Sequence, residues 1–221
     1  RGVDGVVIAC VDFDDLQVLE LVNSKLPVVT IDHVFNNRAA VVSDNVRGME
    51  ELVRYVYAKG HRRIAFIHGE QTAVTENRLT GFYRACDALE LEIPDAYIRE
   101  GVYHDPDRCA ELTRELLRLP EPPTCILMPD DFSSIGGRNA IHRMDLRLPE
   151  DISVAGYDGI QIASVMSPAL TTYRQDTQAL GRTAAAKLIE LIEKPRTALV
   201  DRVLIPGHLV EGASVRTIET L

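Results

Sequence analysis

The sequence predicts an α/β protein built on parallel sheets, and three observations carry that prediction. Short apolar, β-branched runs recur along the chain: VDGVVIAC (3–10), LPVVTI (26–31), AAVVS (39–43), RIAFIHG (63–69), TCILM (124–128), DISVAGY (151–157) and LTTY (170–173). Most are separated by stretches of helical periodicity, and strand–helix alternation makes βαβ units whose strands run parallel. Length agrees, since 221 residues that are 46% hydrophobic suffice for one large or two small cores.

Taken in order, the first run leads to Asp12-x-Asp14, the second ends at Asp32, and the third is followed by a helix over 46–59. Gly60 supplies the left-handed residue that closes this helix. The stretch GHRRIAFIHGEQTAVTENRLTGF (60–82) opens as a buried strand, passes through a polar or small loop over 69–77, and resumes as a helix from Arg78. In that helix Leu79, Phe82, Cys86 and Leu89 share a face, while Arg84, Asp87 and Glu90 point away. Further helices fit 105–118, 132–143 and 177–193, and Pro149 marks a turn before the strand ending near Asp158. No internal repeat or low-complexity segment is present.

Composition narrows the function. No apolar run approaches the roughly 18 residues of a membrane span, and no basic-then-apolar stretch reads as a signal peptide, so a cytoplasmic protein without a membrane partner is expected. Cys10, Cys86, Cys109 and Cys125 lack metal-ligand spacing and read as reduced thiols, so no metal site is expected. The net charge of −9 repels phosphate backbones, and His61-Arg62-Arg63 is too short a basic cluster to reverse it, so these residues should not bind DNA by themselves. Phosphate-loop and dinucleotide fingerprints, GxSxG and HExxH are absent, and no cofactor is expected.

In doubly wound sheets ligands bind beyond the carboxyl ends of the strands. The residues there are Asp12, Asp32, the loop before Arg78, Asp130-Asp131, Asp158 and Gln175-Asp176: an acidic rim with one arginine. Carboxylates accept from ligand hydroxyls and a guanidinium donates two parallel bonds, a pattern suited to a polyhydroxylated small molecule. Each residue also has a plainer reading. A strand-end Asp commonly caps a turn, Arg78 could pair with Glu76 at the surface, Tyr103 could be core, and His68 could be a satisfied buried imidazole.

PVVTID, VSDNVRG, GHRRIAFIHG, RLTGF, PTCILMPDD, LPEDISVAGYDG and PALTTYRQD, in that order and spacing, resemble the effector-binding core of the LacI/GalR family of transcriptional regulators, from about residue 3 to residue 216. The resemblance implies a periplasmic-binding-protein-like type I fold: two doubly wound parallel-sheet subdomains joined by crossover strands, with a sugar-like effector in the cleft between them. It implies that Arg78 grips the effector, Asp158 accepts from its hydroxyls, Asp130 faces it as an acceptor where an amide is common, and Tyr103 covers it. Asp32 would help hold the arginine and Gln175 would lie near the cleft floor, while Val74 in the loop before the arginine disfavours a strongly charged ligand.

The family also carries an N-terminal DNA-binding headpiece and a first βα portion that have no counterpart before RGVDGVVI, so the first subdomain is expected to be incomplete and operator DNA to be reached only through a headpiece outside this chain. The expected division is 1–43 with 174–200 as the remnant of the N-terminal subdomain, and 44–173 with 201–221 as the C-terminal subdomain. A homodimer with a twofold axis and no catalysis are expected. Two alternatives stand beside this reading. One is a transport-type sugar-binding protein of the same fold. The other is a haloacid-dehalogenase-type phosphatase using Asp12, Asp14 and Asp130-Asp131, against which stands Leu16 where that family has Thr or Ser.

Overall fold

The computed structural model describes residues 2–9 and 15–219, so Cys10, Asp12 and Asp14 lie outside the described residues. The chain forms two compact units, one running to Asp44 and including Asp176–Pro206, the other comprising Asn45–Gln175 and the residues from Gly207 on.

The first unit holds β1 (Val6–Ile8), α1 (Leu16–Asn23), β2 (Val28–Ile31), β3 (Ala39–Ser43), α7 (Thr177–Glu193) and β9 (Arg202–Ile205). Its four strands are parallel in the order β1-β2-β3-β9. Val29, Ala39 and Val41 pack under Leu180 and Ala184 of α7, with Val203 and Ile205 joining them. That packing moves a boundary. Residues 201–206, expected with the C-terminal subdomain, belong to the first unit because β9 pairs with β3 (Val41 opposite Val203) and carries two apolar side chains into this core.

The second unit holds α2 (Asn45–Ala58), β4 (Ile64–His68), α3 (Ala73–Ala88), β5 (Ile98–Glu100), α4 (Pro106–Leu117), β6 (Cys125–Leu127), α5 (Ser134–Arg143), β7 (Ser153–Asp158), α6 (Gln161–Val165), β8 (Thr171–Arg174) and β10 (His208–Val210). Its sheet runs β10-β8-β7-β6-β4-β5, with only β10 antiparallel. One face packs on α2 and α3 through Met49, Leu52, Val53, Phe66 and Phe82; the other packs on α4 and α5 through Ile67, Leu112, Leu116 and Ile141. Strands β4, β6 and β7 are buried on both faces, which is why they read as unbroken apolar runs. Cys86, Cys109 and Cys125 are buried free thiols, and burial pushes the first two up to about 12.

The chain passes from β4 to β5 on one side and returns to β6 on the other. The strand order therefore reverses between β4 and β6, and a crevice opens at their carboxyl ends.

Candidate functional site

Helix α3 begins five residues earlier than its sequence suggests. Thr72 caps it, its hydroxyl accepting from the Thr75 N–H at 3.2 Å, so most of the expected loop is helix and Arg78 stands in the second turn. From there its side chain spans the crevice. Nη1 donates to the Pro129 carbonyl just past β6 at 2.8 Å, Nη2 to Oδ1 of Asp158 at the end of β7 at 3.1 Å, and Nε to Oδ1 of Asn45 at the start of α2 at 3.0 Å. The guanidinium carbon lies 3.7 Å from the centroid of the Tyr157 ring and 5.4 Å from that of Tyr103. Arg78 is only 3% exposed. Burial is the largest influence on it and opposes its charge, yet Tyr103, Asp158 and Tyr157 together raise its pKa above the ordinary value. The cation is thus secured on four elements and is no surface residue pairing with Glu76.

Three of the other sequence-expected residues join this cluster. Asp158 receives Arg78 and Gln175 on the same oxygen, the Gln175 Nε2 at 2.6 Å, and the Gln175 N–H also reaches the Asp158 carbonyl at 3.1 Å. Tyr103 donates to or accepts from the Thr75 hydroxyl at 2.9 Å, and its N–H donates to Glu70 at 2.9 Å. Its ring lies over Gly69, where an added Cβ would come within 2.2 Å of it, so only glycine fits beneath it.

Two do not join it. Asp130 is a correction: it is fully buried, and its oxygens accept from the Ser133 N–H (2.7 Å), the Ser133 hydroxyl (2.7 Å) and the His104 N–H (3.0 Å). The turn after β6 directs this carboxylate back to the start of α5 and the Tyr103-His104 loop, so it supports the site without facing it. Asp32 belongs to the first unit, where it sits at φ 58° and accepts from the Ser43 N–H at 2.6 Å. His68 is half-buried, with Nδ1 2.7 Å from the Gly69 carbonyl.

Asn45, Thr75 and Tyr157 were missed. The first and last stand inside VSDNVRG and GYDG, but the asparagine reads as an ordinary helix start and the tyrosine as core. Asp131, set beside Asp130 as a possible metal ligand, accepts from the Thr172 hydroxyl at 2.6 Å and the Ile160 N–H at 2.9 Å. The oxygens of both aspartates are committed to protein donors, and among the described residues no cluster of acidic, His or Cys side chains could hold a metal ion.

The cluster has defined spare valence. Each terminal nitrogen of Arg78 carries two N–H groups and uses one, and among the described residues nothing donates to Oδ2 of Asp158. Donors and an acceptor are therefore left side by side at the carboxyl ends of β6, β7 and β8.

A sheet of this order with a ligand-type cluster at its carboxyl edge defines a binding-protein core. Residues 53–215 match the periplasmic binding protein-like domain, and the chain belongs to that family, as an effector-binding core of the LacI/GalR type. It is similar to the probable HTH-type transcriptional repressor ExuR of Bacillus subtilis (strain 168), at 29% identity over 98% of the chain and 66% of that protein, so it spans just under two thirds of that relative's length. Among solved structures it is similar to a transcriptional regulator CelR–cellobiose complex, at 27% identity and TM-score 0.88 over 96% of this chain and 66% of that one. It is also similar to a LacI family regulator from Enterococcus faecalis V583 with bound ribose, at 25% identity and TM-score 0.86 over 99% of this chain and 80% of that one.

Proposed function

We propose that the Arg78 cluster binds a small neutral polyhydroxylated molecule, of the sugar class, and that in the complete regulator this binding controls attachment to operator DNA. The observation that carries the reading is the spare valence of Arg78 and Asp158. A vicinal diol accepts from the guanidinium with one hydroxyl and donates to the carboxylate with the other, satisfying both at once. Tyr103 adds a flat apolar face beside them, and Gln175 braces the carboxylate. The bound sugars of the two solved relatives support the same class. Control of DNA follows if the ligand favours one state of the regulator over another, because only differential affinity shifts a population. The chain itself contributes sensing and no catalysis; DNA contact and the cytoplasmic setting belong to the whole regulator.

Thermal-shift measurements with pentoses, disaccharides, sugar phosphates, nucleosides and purines test this. A ligand at a hundredfold excess over its Kd stabilises by about 2.7 kcal/mol, a shift of several degrees. Neutral sugars should give that shift. A shift from purines or nucleosides alone would overturn the reading.

A further inference from the structure

Asp158, on which the candidate site depends, holds an unfavourable backbone conformation: its φ is 101°, and that of Gly159 is 68°. A non-glycine residue in this region is strained and persists only where its surroundings over-determine it. Here the surroundings converge on one buried side chain. The Asp131 N–H donates to the Tyr157 carbonyl at 2.9 Å, and its Oδ2 accepts from the Ile160 N–H at 2.9 Å, so one residue grips the chain on both sides of Asp158 and Gly159. Its Oδ1 accepts from the Thr172 hydroxyl on β8 at 2.6 Å, which anchors the gripping carboxyl to the neighbouring strand.

The sequence leaves room for this arrangement. A Cβ on Gly156 would lie 2.3 Å from Oδ1 of Asp131, and a Cβ on Gly159 would lie 2.3 Å from Cβ of Arg174, whose Nε donates to the Gly159 carbonyl at 3.0 Å. Asp131 is fully buried, and the charged group nearest in effect is Asp158 itself. Burial pushes the Asp131 carboxyl up to about 7, against which the bonds from Thr172 and Ile160 act.

We propose that Asp131 is the positioning residue of the site: it fixes the turn from Asp158 to Ile160 so that Oδ1 of Asp158 meets Arg78 and Gln175 while Oδ2 is left for ligand. The part concerning ligand rests on the function proposed above; the part concerning Arg78 does not.

The test therefore uses no ligand. Nitrogen-15 NMR of the whole chain would follow hydrogen exchange of the Arg78 guanidinium in wild type, Asp131→Ala, Asp131→Asn and Thr172→Val, with methyl spectra reporting the fold. Asparagine can keep its oxygen on the Ile160 N–H and donate its amide to Thr172. Exchange should be roughly tenfold or more faster in Asp131→Ala and near wild type in Asp131→Asn, because a loosened turn frees the Asp158–Arg78 pair. An alanine variant that folds and exchanges within about twofold of wild type would overturn the proposal. Should the alanine variant not fold, Thr172→Val decides: faster exchange supports the assignment, and the wild-type rate refutes it. A negative sugar screen leaves this result untouched.

Discussion

Arg78, the ligand group of the proposed function, is a structural residue as well. Its place at a strand-end loop suggests a residue whose loss would barely touch folding, but its burial and its bonds to α2, β6 and β7 argue otherwise. Arg78→Ala takes a donor from Asn45, Asp158 and the Pro129 carbonyl and breaks a buried ion pair, so unfolding stability should fall by about 3–5 kcal/mol, in the range for breaking such a pair. Sugar affinity should fall by about 2–4 kcal/mol as well. Arg78→Lys should restore neither, because a point charge cannot serve three acceptors in a plane. Urea titration and calorimetry would read the two losses separately, and wild-type values in the lysine variant would contradict this account. His61 offers a second residue-scale prediction. It is fully buried, with Nδ1 2.9 Å from the Thr124 hydroxyl and Nε2 3.1 Å from the Arg216 carbonyl, and burial lowers its pKa to about 4 from 6.5. Between those values the unfolded chain takes up the proton and the folded chain does not, so stability should drop as pH falls from 6.5 to 4 and level off below. His61→Gln should flatten that slope in urea titrations at pH 7 and pH 4.5, and an unchanged slope would refute the assignment.

At the scale of elements, the helices that carry the site are set by close approach. Gly81 of α3 faces α2, and a Cβ there would lie 2.2 Å from the Val46 carbonyl oxygen, a backbone atom that cannot swing away. Gly81→Ala should therefore push the two helices apart, costing about 1–3 kcal/mol by overpacking and displacing Arg78 from Asn45. Melting temperature and sugar affinity should fall together; an affinity equal to wild type would show that the helices are not coupled. These relations also mark what the sequence could and could not display. The long apolar strands and the amphipathic faces were legible because burial on both sides of β4, β6 and β7 leaves an unbroken hydrophobic signal. Strands β5, β9 and β10 were not, because they are three or four residues long, lie at sheet edges and bury few side chains. Helices α1 and α6 escaped as well, the latter having five residues and one buried position, Ala163. Among the site residues the motif order picked out Arg78, Asp158, Tyr103 and Gln175, since each is a polar group at a strand end or helix start. Which donors each of two adjacent aspartates meets is decided by a single turn, and nothing in Pro129-Asp130-Asp131 encodes it.

At the scale of the whole molecule, a twofold homodimer is the expected assembly of the proposed regulator. Light scattering at micromolar concentration should report a dimer for the complete regulator, and a monomer there would count against the proposal. Connectivity has a separate consequence. The first unit is written in two pieces, and α7 and β9, which cover and extend β2 and β3, come more than a hundred residues after them. On the ribosome, Val29, Ala39 and Val41 therefore emerge long before Leu180 and Ala184 exist to cover them. Chain growth at about 5–20 residues per second leaves that apolar face bare for several seconds, while most of the second unit is already assembling. Nascent chains halted shortly after Gln175 should bind chaperone and be clipped between α1 and β3, and chains extended past Pro206 should resist both. Translation past β9, and not past β1 to β3, is the event that brings the two pieces of this unit together.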